Sequence, residues 1–164
     1  NKVINSVVKL SKPIGWSLSD LSSDANRLNQ NGVMTVIRQD GFRLWGNLTR
    51  AADEQRRFKF ISVRRIANEL NDSAVKNHFW AIDQNITKSY IATVTAGLNQ
   101  KMRDMVAAGA LLGGKAFVSA EENSASTIKL GNIKFSFEYT PVYPANEISF
   151  DSIMTDTYLK ELIG

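Results

Sequence analysis

The sequence contains no cysteine and a single histidine, His78, in 164 residues. The first absence removes disulfides, thiol nucleophiles and thiolate metal sites together, and it suits a reducing compartment. The second argues against an imidazole-built zinc centre or a His-assisted nucleophile. His78 itself, beside Phe79 and Trp80, reads as a packed or half-exposed structural residue. No apolar run approaches the roughly 20 residues needed to cross a bilayer. No charged n-region followed by an apolar h-region opens the chain. The first residue is Asn1 rather than Met, so we expect a piece of a longer chain.

A phosphate loop is also missing. Gly109, Gly113 and Gly114 follow a predicted helix and precede a predicted strand. That is the reverse of the Walker order, and no Lys-Ser/Thr pair follows them, so they read as a helix stop. The carboxylates Glu121, Glu122, Glu147, Asp151 and Asp156 fall at no spacing that suggests a shared pocket able to split their pKa values. They read as solvated charges on loops and strand edges. No catalytic, metal-binding or cofactor-binding residue is expected.

The composition itself is ordinary, with 43% hydrophobic and 22% charged residues. It fits one domain, or one domain with a short satellite. The net charge of +4 favours an acidic partner without demanding nucleic acid. The excess is concentrated in Arg50, Arg56, Arg57, Lys59, Arg64 and Arg65, with Lys101 and Arg103 on a later predicted helix. Three readings stand side by side: docking onto an acidic protein, a plain solvated face, and a basic nucleic-acid-binding module. The last would want exposed aromatics for base stacking, whereas Phe58 and Phe60 read as core-facing or half-buried.

Along the chain, residues 3–10 alternate like a strand, and Pro13-Gly15 breaks the run before Trp16. A short helix is predicted over 20–31, capped by Ser22 or Ser23, with Ala25 and Leu28 inward and Asn31-Gly32 as its stop. Val33–Arg38 and Phe42–Gly46 form a hairpin about Gln39-Asp40-Gly41. A surface loop at 50–57 precedes a long helix over 58–82, with a bend or a break into two helices at 71–73, and a further long helix over 87–110. Strands are predicted at 115–120, 128–140 and 147–153, with a loop at 123–127 and a final amphipathic turn at 158–163. The 147–153 strand, through Glu147, Ile148, Phe150 and Ile153, follows a link flanked by Pro141 and Pro144. That layout suits a strand donated to a neighbour's sheet edge. The expected class is α+β, with two long central helices packed on a mixed, largely antiparallel sheet built from N- and C-terminal strands.

These segments, taken in order, resemble the C-terminal region of contractile tail sheath proteins of P2-type myophages and R-type pyocins. Leu28-Asn29 and Val33–Arg38 lead into Gly41-Phe42-Arg43-Leu44-Trp45-Gly46-Asn47-Leu48-Thr49, which is similar to the family's G-x-R-x-W-G-x-R-T stretch. Val63–Ile66, His78–Asp83, Gly109–Gly114, the Gly131 strand, and Pro141, Pro144 and Glu147 follow in family order. Leu48 departs from it, standing where the family usually has arginine. The resemblance implies that 1–20 is a strand and link from a preceding domain and 21–164 the sheath C-terminal domain. Trp45, Gly46, Trp80, Gly109 and Gly113 would be its core signature.

The resemblance further implies a non-enzymatic structural subunit without cofactor, inserting into no membrane and binding no nucleic acid. Its partners would be other sheath subunits, in hexameric rings of a helical polymer, and an acidic inner tube met by Arg64, Arg65, Lys101 and Arg103. Contraction would be a rigid-body rearrangement of subunits. Assembly would take place in the host bacterial cytoplasm, and the product would be a virion tail or tailocin sheath.

Overall fold

Asp40 and Gly41 turn the chain with φ of 49° and 105°, a left-handed pair that an Asp-Gly sequence tolerates well. That turn joins β1 (Thr35–Arg38) and β2 (Phe42–Trp45) as an antiparallel hairpin, with Arg38 opposite Phe42 and Thr35 opposite Trp45. The structure, a computed structural model, describes residues 2–51 and 53–162. α1 (Asp24–Gln30) lies against this hairpin and starts four residues later than its predicted limit. Asp20 instead accepts hydrogen bonds from the Ser22 amide and hydroxyl and holds a turn ahead of the helix. The predicted strand over 3–10 shrinks to one bridge, Val3 to Arg43.

The second half is built on two long helices, α2 (Ile61–Asn77) and α3 (Lys88–Ala107). α2 runs unbroken through 71–73, because Leu70 and Ser73 are both buried and hold that turn inward. It ends at His78, and Phe79–Ala81 forms a separate 3-10 turn. His78 Nδ1 lies 2.9 Å from the Ala74 carbonyl, the structural role expected of it. Thr87 caps α3 by accepting from the Tyr90 amide at 3.1 Å.

α3 packs on the hairpin of β3 (Leu111–Phe117) and β4 (Ser136–Pro141). Leu70, Met102, Met105, Leu111 and Ala116 form the buried cluster, flanked by Ile66, Leu98, Phe137 and Tyr139. Only Gly109, at φ 73°, serves the expected helix stop. Gly113 and Gly114 lie within β3. A Cβ on Gly114 would come 2.6 Å from Met102 Sδ and 3.0 Å from the Glu138 carbonyl. Glycine there lets strand and helix approach closely.

Two asparagines fasten backbone amides, one on β3 and one ahead of β4. Asn99 on α3 accepts from the Ala116 amide at 2.9 Å, and Asn123 accepts from the Lys134 amide at 2.7 Å. The predicted loop at 123–127 opens a short helix, α4 (Ala125–Lys129), capped by Ser124. The strand predicted from 128 narrows to β4.

The α+β class therefore stands, but the strands of the described residues divide into two separate two-stranded ladders rather than one sheet. The predicted strand 147–153 has no ladder partner. A strand needs an edge to pair with, and none among the described residues reaches it. The amphipathic close is a 3-10 turn, Thr157–Leu162.

Gly114→Ala is expected to lower stability by about 1–3 kcal/mol through overpacking against Met102 and the Glu138 backbone. Urea titration of the two proteins measures it. A midpoint equal to wild type would contradict the close approach described here.

Candidate assembly interface

The basic face projects from a stapled base. After β2, Thr49 donates from its amide to the Lys59 carbonyl at 2.7 Å and from Oγ1 to the Phe58 carbonyl at 2.7 Å. The Ile61 amide donates to the Asn47 carbonyl at 2.9 Å, and Leu48 bridges Phe60. These contacts staple the chain on either side of the 3-10 turn Asp53–Phe58, just ahead of α2. An open groove of about 550 Å³ runs beside it, walled by Gly32, Leu48, Thr49, Arg50, Arg56 and Lys59. Leu48, the departure from the family pattern, therefore lies in the wall of a basic groove.

Two arginines are held over one ring. The Arg64 guanidinium carbon lies 5.1 Å from the Phe58 ring centroid and that of Arg57 lies 5.8 Å away. Such cation–π placement orients a guanidinium while leaving its N–H edges free to meet an anion. Arg64 and Arg65 stand exposed on the first turns of α2, whose opposite side buries Val63, Ala67 and Leu70. The first turn of α2 has no acidic residue, so the positive end of the helix dipole adds to the arginines rather than offsetting them. Phe58 is half-buried, one of the two placements expected of it, but its service as a platform for two guanidinium groups was not anticipated. The neighbouring Arg57-Phe58 pair was the available signal.

Lys101 and Arg103 are placed differently. Lys101 Nζ lies 2.8 Å from Glu69 Oε1 and ties α3 to α2, with the lysine side chain 30% exposed. Glu69 also accepts from Ser73 Oγ at 3.3 Å. The Lys101 hydrogen bond and charge hold the Glu69 carboxyl below its usual value near 4.5, with a smaller contribution from Ser73. Arg103 is exposed, and its Nη2 donates to Gln100 Oε1 at 2.5 Å.

The C-terminal segment starts beside the basic face. Tyr143 meets Phe60 edge-on at 6.2 Å, and Pro144, Ala145 and Asn146 share a groove with Gly46 and Asn47. Beyond that root the chain runs exposed, Ile148 at 69%, Phe150 at 93% and Ile153 at 79%. Glu147 is exposed as well.

Of the expected core signature, Trp45 and Gly46 are part-buried: Trp45 meets Trp16 at 5.7 Å and donates to Asn26 Oδ1 at 3.1 Å. Trp80 is 49% exposed and meets Tyr90 edge-on at 6.3 Å, and Gly109 and Gly113 have no atom within 4 Å of a would-be Cβ. Among the described residues no three His, Asp or Glu groups converge as a metal site, and no helix is long and apolar enough to cross a membrane. Glu122 is held by Lys134 and Ser136, which lower its carboxyl pKa.

Residues 53–155 match the model of the phage tail sheath C-terminal domain. The chain belongs to this family. The sheath domain is 36% identical over 163 residues to a tail sheath protein of Escherichia phage P2, covering 99% of this chain and 41% of that protein. It is 34% identical to a putative prophage major tail sheath protein of Pseudomonas aeruginosa strain UCBPP-PA14, covering 99% and 42%. It thus spans about two-fifths of the length of these curated relatives. Its fold is shared with a chain of the anti-feeding prophage baseplate, at TM-score 0.77 and 19% identity over 94% of this chain and 44% of that one. A chain of the PVC sheath complex in the contracted state, an extracellular contractile injection system, gives TM-score 0.69 at 14% identity over 80% and 40%.

The Lys101–Glu69 pair has a pH signature. The carboxyl pKa is depressed in the fold, so its stabilisation is present above the unfolded value near 4.5 and is lost as pH falls through the lower folded value. Lys101→Met should melt below wild type at neutral pH, and the gap should close in acid. A gap that stays constant with pH would show that the pair contributes nothing.

Proposed function

We propose that this sheath domain works within a structural subunit of a contractile tail sheath, one that polymerises around an inner tube and drives it through a target envelope. The observation that carries the reading is the exposed segment beyond Pro144, which presents apolar side chains in a chain whose ladders have only two strands each. Family membership gives that segment its context. An open edge is a template for a strand from another chain, and strand addition supplies backbone hydrogen bonds that survive rotation about a link. Glu147, Ile148, Phe150 and Ile153 are the strand residues of this exchange.

Each subunit would reach forward to the next. A contact between unlike surfaces that does not close on itself builds a filament, as hexameric rings stacked in a helical sheath require. The domain's basic residues would meet the acidic surface of the tube. Arg64, Arg65 and Arg103 are available for this, whereas Lys101 is engaged by Glu69 within the chain. Exposed charge pairs are individually worth ~0–1 kcal/mol, weak enough to release during contraction. The subunit would do no catalysis and need no cofactor. It would assemble in the host cytoplasm into a virion tail or tailocin, with a further domain ahead of residues 1–20. The rings nearest the basic face are engaged, Phe58 by arginines and Phe60 by Tyr143, which leaves them poor platforms for nucleic-acid bases.

Phe150→Asp tests the exchange. The side chain is 93% exposed, so the denaturation midpoint of the isolated chain should barely move, within about 0.5 kcal/mol. The intact protein, viewed by electron microscopy, should lose the hollow striated polymers that the wild type forms. Polymers of normal length and number would refute the role of the segment.

A further inference from the structure

The charges of this chain are sorted along its length. Between Arg50 and Arg65 six basic residues stand against two acidic ones, Asp53 and Glu54. From Phe135 to Leu159 there is no lysine or arginine, but Glu138, Glu147, Asp151 and Asp156 are present. In an extended strand, alternate residues face opposite sides, so Glu147, Ser149 and Asp151 share one face, with Ile153 at its end, and Ile148, Phe150 and Ser152 the other. Pairing with a sheet edge uses the backbone and the apolar face. The carboxylate face is left over, with Glu147 and Asp151 about 13 Å apart.

The basic face offers the complement. Arg57 and Arg64 are preoriented over Phe58, and among the described residues neither has a carboxylate partner. We infer that the acidic face of segment 145–156 of a second copy docks on Arg57 and Arg64, as a charge contact distinct from the strand pairing of the same segment. The inference rests on the sheath reading and names a receptor for the part of the segment that the strand exchange leaves unused.

The occupant is a second copy rather than the chain's own segment. That segment starts at Tyr143 against Phe60, next to the arginines, yet continues away from the body with Phe150 and Met154 more than nine-tenths exposed. Donor and receptor thus sit side by side on each copy. A segment that leaves its own receptor empty and fills the next copy's repeats along the polymer without closing. Opposed charges also steer the encounter and fix the register before the backbone bonds form.

The test uses the intact protein in two charge-reversed forms, Arg57→Glu/Arg64→Glu and Glu147→Lys/Asp151→Lys. Each alone sets like charges against each other and should give roughly tenfold less pelletable polymer than wild type, as expected for misplaced interface charges. An equal mixture should restore the yield, because each form supplies the partner that the other lacks. The chain carrying all four changes should restore it too, with unchanged circular dichroism confirming the fold. Normal polymer from either form alone would overturn the inference. So would a mixture that stays depressed while the fourfold variant recovers, since the contact would then lie within one chain. If the wild type itself forms no polymer, the sheath reading fails and the inference falls with it.

Discussion

Much of the domain hangs on how closely β3 approaches α3. At Gly114 the strand backbone lies where any side chain would strike Met102, and Leu111 and Ala116 of the same strand complete the small buried cluster. Asn99 fastens the same strand by bonding the Ala116 amide, so packing and hydrogen bonding act on one short stretch. α2 closes the other side through Leu70 and through the Glu69–Lys101 pair. With so compact a cluster, large apolar residues such as Phe79, Ile82, Leu130 and Phe150 remain outside it. Exposed apolar surface in that quantity marks candidate interaction sites.

The sequence was most legible where local chemistry decides the outcome. Asp40-Gly41 specifies a hairpin turn, and the periodic apolar positions of α2 and α3 a face to bury. It was least legible where a distant partner decides. Gly113 and Gly114 look like a stop after α3, but a facing strand makes them part of a ladder. Asn71-Asp72-Ser73 looks like a break, but burial of Ser73 overrides its weak helix propensity. The alternation at 147–153 is a strand pattern, but the segment pairs with no edge among the described residues. The candidate residues divide the same way. Exposure of Arg64 and Arg65 follows from helix periodicity, while the Glu69 contact of Lys101 depends on how two helices cross.

Charge sorting gives the molecule a direction. The cationic loop and the acidic segment leave the body at one junction, where Asn47, Phe60 and Tyr143 come together. Folding of the two halves and presentation of both charged elements are therefore coupled through the few contacts around Leu48 and Phe60. A change at that junction would shift both surfaces at once, whereas a change in the distal cluster of Met102 and Met105 would act on stability alone.

The exposed acidic-apolar segment also carries a hazard that its own residues limit. A free strand rich in Ile and Phe can stack on identical copies of itself, in register, at spacings near 4.8 Å. Such a stack would pile Glu147 on Glu147 and Asp151 on Asp151, an array of like charges that mutual repulsion disfavours. Pro141 and Pro144 interrupt any such stack on the upstream side. Alternation with carboxylates thus discriminates against fibre formation without opposing the proposed addition to an edge of different sequence.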